Sequence, residues 1–167
     1  RTWSCYDLHN SAFLAPNEIR TCCKRFFVNG QMKGDVALVK PDQDGKIKVS
    51  KKEILDKKKD LHKRLNTGEE TECDGCPFLE FKEWEQFDKL KLEHLSLEYH
   101  SMCNMRCSYC SETYYGGDKP KYDVFTLLEE LSDDNCLEGC NSVVFGGGEP
   151  TLDKSFEKIP NLLVNDL

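Results

Sequence analysis

The chain has 167 residues, of which 30 are acidic and 23 are Lys or Arg, for a formal net charge of −7. That balance argues against a general nucleic-acid binder, which carries a basic footprint. With 38% hydrophobic and 32% charged residues the chain reads as globular, not disordered. The longest aliphatic run, Val36-Ala37-Leu38-Val39, is far short of the roughly 20 residues of a bilayer span. No basic start followed by an apolar stretch marks a secretory signal, and no membrane contact is expected. A first residue of Arg1 and an end at Asp166-Leu167 read as part of a longer protein.

In chain order, Ala12-Phe13-Leu14-Ala15 is an apolar, strand-like run, and Pro16-Asn17 signals a turn. Together they predict a hairpin that sets Cys22 at a strand end. Phe26-Phe27-Val28 predicts another strand, stopped by Asn29-Gly30, and Gln43-Asp44-Gly45 marks a further turn. Ser50 and Glu53 have capping-box spacing, so a helix is expected over about residues 51–65, with Gly68 ending it. Ile54, Leu61 and Leu65 share its apolar face, with Leu55 beside them. Residues 46–64 hold nine Lys or Arg and three acidic residues. That run reads as a solvated helix face or, as the sharper alternative, a contact for an acidic partner. Residues 78–92 are amphipathic and predict a short helix or connecting arm, with a domain boundary near residues 89–93.

The rhythm then changes. His94 to Tyr99 alternates as a strand does, and Tyr115-Gly116-Gly117 predicts a break. Asp123 can cap a helix that carries Val124, Leu127, Leu128 and Leu131 on one face. Ser142 to Phe145 predicts a short buried strand, and residues 156–163 a helix interrupted by Pro160. Strand, loop, helix, repeated, builds a parallel sheet whose functional loops lie at the carboxyl ends of its strands.

Ten cysteines make up about 6% of the 167 residues, below the density of a disulfide scaffold. They fall in close groups: Cys22-Cys23, Cys73 with Cys76, Cys103 with Cys107 and Cys110, and Cys136 with Cys140. Such grouping gathers thiolates around a metal, and implies a reducing, cytoplasmic setting. Cys136 and Cys140 read better as two free thiols than as a metal pair. His9, His62, His94 and His100 form no cluster by spacing and read as surface or packing residues.

Cys103-Asn104-Met105-Arg106-Cys107-Ser108-Tyr109-Cys110 has the form Cys-x-x-x-Cys-x-x-Cys. Iron–sulfur cubanes are normally held by four cysteines. Three on one loop leave one iron open to a ligand. A zinc site of these thiols with His94 or His100 is the lesser alternative. The second unusual loop, Gly146-Gly147-Gly148-Glu149-Pro150, begins about 36 residues after Cys110. Its glycines allow close backbone approach, and Glu149 suits a cationic group.

On this pair of motifs the sequence resembles the radical S-adenosylmethionine superfamily, over about residues 93–160. The resemblance implies a [4Fe–4S] cluster on Cys103, Cys107 and Cys110. It also implies an aromatic contact to S-adenosylmethionine from Tyr109, and contacts to the methionine amino group from Gly146, Gly147, Gly148 and Glu149. The implied reaction is one-electron reductive cleavage of S-adenosylmethionine to methionine and a 5′-deoxyadenosyl radical, which abstracts hydrogen from substrate. An electron donor such as flavodoxin or ferredoxin is implied with it. The family barrel usually has six strand–helix units, and this chain has room for about two.

Cys5, the Cys22-Cys23 pair after a turn, a helix, and Cys73-x-x-Cys76-Pro77 resemble the auxiliary-cluster modules called SPASM and twitch. In that reading Cys5, Cys22, Cys73 and Cys76 hold a second [4Fe–4S] cluster, with structural zinc as the alternative. Cys23 is the alternate to Cys22, since neighbours on a strand face opposite ways. The module usually follows the barrel, whereas here it precedes it.

The expected fold is therefore α/β. A small α+β cysteine-rich module at 1–90 precedes the start of a partial (β/α) barrel at 91–167. The expected function is that of a radical S-adenosylmethionine enzyme, acting on a peptide, protein or carbohydrate. The competing reading is a non-catalytic zinc- or iron–sulfur-binding interaction module.

Overall fold

The computed structural model describes residues 1–110 and 117–163. A five-stranded sheet organises the fold. In order across the sheet its strands are β6 (Ala37–Val39), β3 (Ile19–Arg20), β2 (Ser11–Leu14), β8 (His94–Leu97) and β9 (Ser142–Phe145). β2, β8 and β9 run parallel, while β3 and β6 add antiparallel strands at one side. All four residues of β2 are buried, and so are Leu95, Ser96 and Leu97 of β8. Burial on both faces is what a parallel strand between layers requires.

The hairpin at Pro16-Asn17 forms, with the Ala15 N–H donating to the Glu18 carbonyl at 3.0 Å. β4 (Arg25–Val28) turns back through Asn29 and Gly30 into β5 (Gln31–Gly34), a strand for which the sequence offered no signal. Asn29 at φ 52° and Gly30 at φ 78° supply the two positive angles of a tight hairpin. Near the start of the chain, β1 (Thr2–Ser4) pairs with β7 (Glu80–Lys82), and the five-residue helix α1 (Tyr6–Asn10) follows β1.

Helix α2 spans Lys51–Thr67, two residues longer than expected. Ser50 Oγ accepts from the Glu53 N–H at 3.1 Å, and Gly68 at φ 77° closes the helix. α3 (Val124–Asp133) starts at Asp123, whose carboxylate accepts from the Thr126 N–H at 3.0 Å, and buries the four predicted apolar residues. α4 begins only at Lys158 and runs to Leu163. Pro160 lies in its first turn, where a missing N–H leaves no bond unmade, so it does not interrupt the helix. Residues 78–92 are not helical: apart from β7 they form an irregular arm. There Trp84 and Phe87 stack on His9, with ring centroids 4.8 and 4.3 Å away. The break expected at Tyr115 and Gly116 lies outside the described residues.

The boundary expected near residue 90 falls inside shared structure. β2 from the first half pairs with β8 from the second, Ser11 opposite His94 through Leu14 opposite Leu97. One hydrophobic core draws Leu8, Ile19 and Ile54 together with Leu95, Leu127 and Leu131. The Tyr122 hydroxyl donates to the Ala15 carbonyl at 2.9 Å, tying the segment before α3 to the first hairpin.

The cap of α2 gives a direct test of this local reading. Ser50→Ala should cost about 1 kcal/mol of stability, because it removes the acceptor for one orphan N–H. A lowered denaturant midpoint at unchanged m-value is the expected result.

Candidate metal and cofactor site

The two motif loops leave the carboxyl ends of adjacent parallel strands. β8 ends at Leu97 and leads through Tyr99 and His100 to the cysteine loop, and β9 ends at Phe145 and leads into the glycine loop. A ladder of backbone bonds joins them: Gly146 N–H to Leu97 C=O at 3.1 Å, Gly148 N–H to His100 C=O at 3.2 Å, and Glu149 N–H to Met102 C=O at 2.7 Å. The glycines are required by this closeness. A Cβ on Gly148 would lie 1.9 Å from the Met102 carbonyl oxygen, and one on Gly147 2.3 Å from that of His100. Gly147 also sits at φ 90°.

Among the triplet, Cys103 is exposed and Cys107 and Cys110 are half-buried. The Cys110 N–H donates to the Cys107 carbonyl at 3.0 Å, and the Met105 N–H donates to Cys103 Sγ at 3.4 Å. Tyr109 is exposed beside them, and a hydrogen bond to Cys107 and the charges of all three thiols raise its phenol pKa. Asp118 and Ser101 exchange hydrogen bonds at 2.9 Å and hold the base of the loop.

Glu149 caps the 3-10 turn Pro150–Leu152, its Oε1 accepting from the Thr151 hydroxyl at 2.6 Å and the Thr151 N–H at 3.2 Å. These bonds hold its carboxyl below the usual range. A carboxylate offers about four acceptor sites, so the cap does not exhaust it.

A second set of thiols gathers around α1. Cys5 is the N-cap of α1 and accepts from the Leu8 N–H at 3.4 Å. Cys22 follows β3; burial raises its thiol pKa, against backbone hydrogen bonds from Val36 and Lys24 that favour the thiolate. Cys73 and Cys76 share a tight turn, with the Cys76 N–H donating to the Cys73 carbonyl at 2.9 Å. Gly75 between them sits at φ 78°, against Val28 of β4. Cys5 feels the charge of Cys22 and Cys76, and Cys73 feels all three others; burial and these neighbours push Cys73 up to about 12. Cys22 is thus within electrostatic reach of the other three, whereas Cys23 lines a cleft with Glu98.

Among the described residues, no three His, Cys, Asp or Glu side chains stand close enough to hold a single metal ion. A zinc ion would draw its sulfurs to about 3.8 Å from one another, given bonds of about 2.3 Å in a tetrahedron. A cubane spreads its thiolates over four corners. Both thiol sets carry sulfur donors with amide N–H groups aimed at them, which suits thiolate ligands to either centre.

The cleft beside Gly147 has a volume of about 370 Å³ and also presents Arg20, Arg25, Asp35 and His100. Arg20 pairs with Glu18 and Asp35, and Arg25 with Asp35. Among the described residues Glu98 has no such hydrogen-bonded partner; burial raises its carboxyl pKa, against the pull of Arg20. His100 Nδ1 is buried without a hydrogen-bond partner among the described residues. Sequence reasoning missed these residues. The available signal was position: Glu98 and His100 directly follow a strand whose carboxyl end was already marked as functional.

Cys136 and Cys140 are buried core thiols near the carbonyls of Asp134 and Ser142. His94 hydrogen-bonds the Ser142 hydroxyl at 3.0 Å, at the start of β8 and so at its end away from the triplet. Among the described residues, no helix is long and apolar enough to cross a membrane.

A family model described as the Radical SAM superfamily matches residues 97–166. The match starts at the last residue of β8 and takes in both motif loops. The match supports a likeness to the radical S-adenosylmethionine superfamily over this part of the chain. No curated protein and no solved structure matches the chain.

The glycine contact yields a prediction. Gly148→Ala should strain the ladder by about 1–3 kcal/mol, the usual cost of overpacking. Thermal melting should shift down, and iron bound by the triplet loop should fall with it.

Proposed function

We propose that the protein is a radical S-adenosylmethionine enzyme with a second, four-thiolate metal centre. The observation that carries this reading is the ladder from the glycine loop to the residues leading into the cysteine loop. It sets a three-thiol loop and a glycine-lined backbone edge side by side, as a cluster with one open iron and an amino-acid ligand require. Cys103, Cys107 and Cys110 hold the cluster. Gly146, Gly147, Gly148 and Glu149 receive the amino group of S-adenosylmethionine, and Tyr109 covers the bound cofactor. A [4Fe–4S] cluster held there would supply, when reduced, the one-electron chemistry of reductive S-adenosylmethionine cleavage. The chain's own contribution is positioning and exclusion of water. The cleft bordered by Glu98, His100 and Gly147 lies beside this point and is the place for substrate, a peptide, protein or carbohydrate group.

Cys5, Cys22, Cys73 and Cys76 hold the second centre. We favour a [4Fe–4S] cluster over zinc, because the thiols share one neighbourhood without converging at single-ion spacing. Reducing equivalents come from a flavodoxin- or ferredoxin-type donor.

Two experiments test the first centre. Changing Cys103, Cys107 and Cys110 together to Ala should remove about four irons per chain, since each thiolate is a ligand. Retention of that iron, with the paramagnetic signal of the reduced cluster, would overturn the assignment. For the cofactor contact, Glu149→Gln should weaken S-adenosylmethionine binding roughly 10-fold or more, as a charge-assisted bond of about 1.5–3 kcal/mol is lost. Iron content should stay constant. Unchanged affinity would leave Glu149 as a cap for Pro150–Leu152 and nothing more.

A further inference from the structure

Helix α2 carries a lysine on its buried face. Ile54, Lys58 and Leu61 are the residues of that helix that are fully covered, and Lys58 has no exposed surface. A buried ammonium is costly unless a counter-charge and hydrogen bonds compensate it. The hydrogen bonds are present. Lys58 Nζ donates to the carbonyls of Ser11 at 2.7 Å and Leu8 at 2.8 Å, with the Thr21 hydroxyl at 3.3 Å and the Asp7 carbonyl at 3.4 Å. An ammonium has three donors and no acceptor, so this ring of acceptors suits the charged form.

The counter-charge is missing among the described carboxylates. No Asp or Glu forms an ion pair with Lys58, and the nearby Asp7 is taken by Lys24 at 2.6 Å and by the Ser11 hydroxyl at 3.1 Å. Three of the four acceptors, however, flank the proposed ligands. Asp7 and Leu8 lie within one turn of Cys5, and Thr21 directly precedes Cys22. The Leu8 N–H donates to Cys5 Sγ while its carbonyl accepts from Lys58. The Thr21 hydroxyl donates to the Asp7 carbonyl at 2.9 Å and so joins the two segments.

We propose that Lys58 is the buried counter-charge of the four-thiolate centre, held between the Cys5 and Cys22 segments so that metal binding there is matched by a fixed positive neighbour. This rests on the reading of Cys5, Cys22, Cys73 and Cys76 as ligands. Four thiolates outweigh a zinc dication or an oxidised cubane by two charges, so the centre is anionic with either metal. Lys58 offsets one of them where water cannot. Burial pulls its pKa down to about 7, against the charges of Cys5, Asp7 and Cys22, which raise it. Lys24 also feels the Cys5 and Cys22 charges, but it is part-exposed and already committed to Asp7. Lys58 is a positioning and electrostatic residue and not a ligand.

The test uses the full chain with Cys103, Cys107 and Cys110 changed to Ala, so that remaining metal belongs to the four thiols. Anaerobically loaded protein is titrated with a chelator, with iron or zinc measured by elemental analysis. Lys58→Met should lower metal affinity roughly 10–100-fold, the usual effect of removing an outer partner of a metal site. The gain in melting temperature on loading should shrink with it. Lys58→Gln separates charge from hydrogen bonding, because it can still donate to the Leu8 and Ser11 carbonyls. A loss in Lys58→Gln close to that in Lys58→Met supports the counter-charge. Wild-type affinity in Lys58→Gln overturns it, and this variant carries the test should Lys58→Met not fold. A background protein that binds no metal overturns the four-thiolate reading and this inference together. One that binds metal with unchanged affinity in both Lys58 variants overturns the inference alone.

Discussion

The parallel pairing of β2 with β8 is the constraint on which both thiol sets depend. β2 lies between Cys5 and Cys22 in sequence, and β8 leads into the triplet, so their register fixes one set relative to the other. Parallel strands cannot be joined by a tight turn and need a long crossover. Here the crossover is the whole stretch from β3 to the arm after β7, and it carries Cys22, Cys73, Cys76 and α2. The first half is therefore an elaborated connection into the sheet as much as a module ahead of it. Closing so long a loop is entropically unfavourable, and burial of β2 and α2 against the common core offsets that cost.

Local signals in the sequence were legible where one residue decides the geometry. Asn29-Gly30, Ser50, Gly68 and Asp123 each do in the fold what their chemistry predicts, because caps and tight turns are settled by neighbours in sequence. At residues 78–92 the amphipathic pattern left a short helix or a connecting arm open, and the arm is what forms. Phe81 packs on Trp3 at 5.4 Å, and Trp84 and Phe87 on His9, and these distant partners outweigh local propensity. β5 was invisible for the opposite reason: Gln31-Met32-Lys33-Gly34 has no strand character and forms because β4 pairs with it.

The cysteine and glycine motifs could be read because chemistry fixes both residue type and spacing. Lys58 could not be read in the same way. A run of nine basic residues suggests a solvated face, and for most of α2 the structure agrees, with Lys51, Lys52 and Lys57 in ion pairs near the surface. Yet Lys58 follows Ile54 by four residues and precedes Leu61 by three, which puts it on the apolar stripe. Composition hides such a residue, and position on the helix exposes it.

Cys22 and Cys23 show how one backbone serves two sites. Cys22 lies within electrostatic reach of Cys5, Cys73 and Cys76, whereas Cys23 borders the cleft with Glu98 and Asp35. A one-residue slip of the segment between β3 and β4 would change which of the two lies near those thiols. The slip is resisted from both flanks: the Thr21 N–H donates to the Val36 carbonyl at 2.9 Å, and the Asp35 N–H to the Lys24 carbonyl at 3.1 Å. Gly34 makes that second contact possible, since a Cβ there would lie 1.9 Å from the Lys24 carbonyl oxygen. Which of the two thiols would join the proposed metal centre thus depends on a glycine twelve residues from Cys22 in sequence, through the register that this glycine permits.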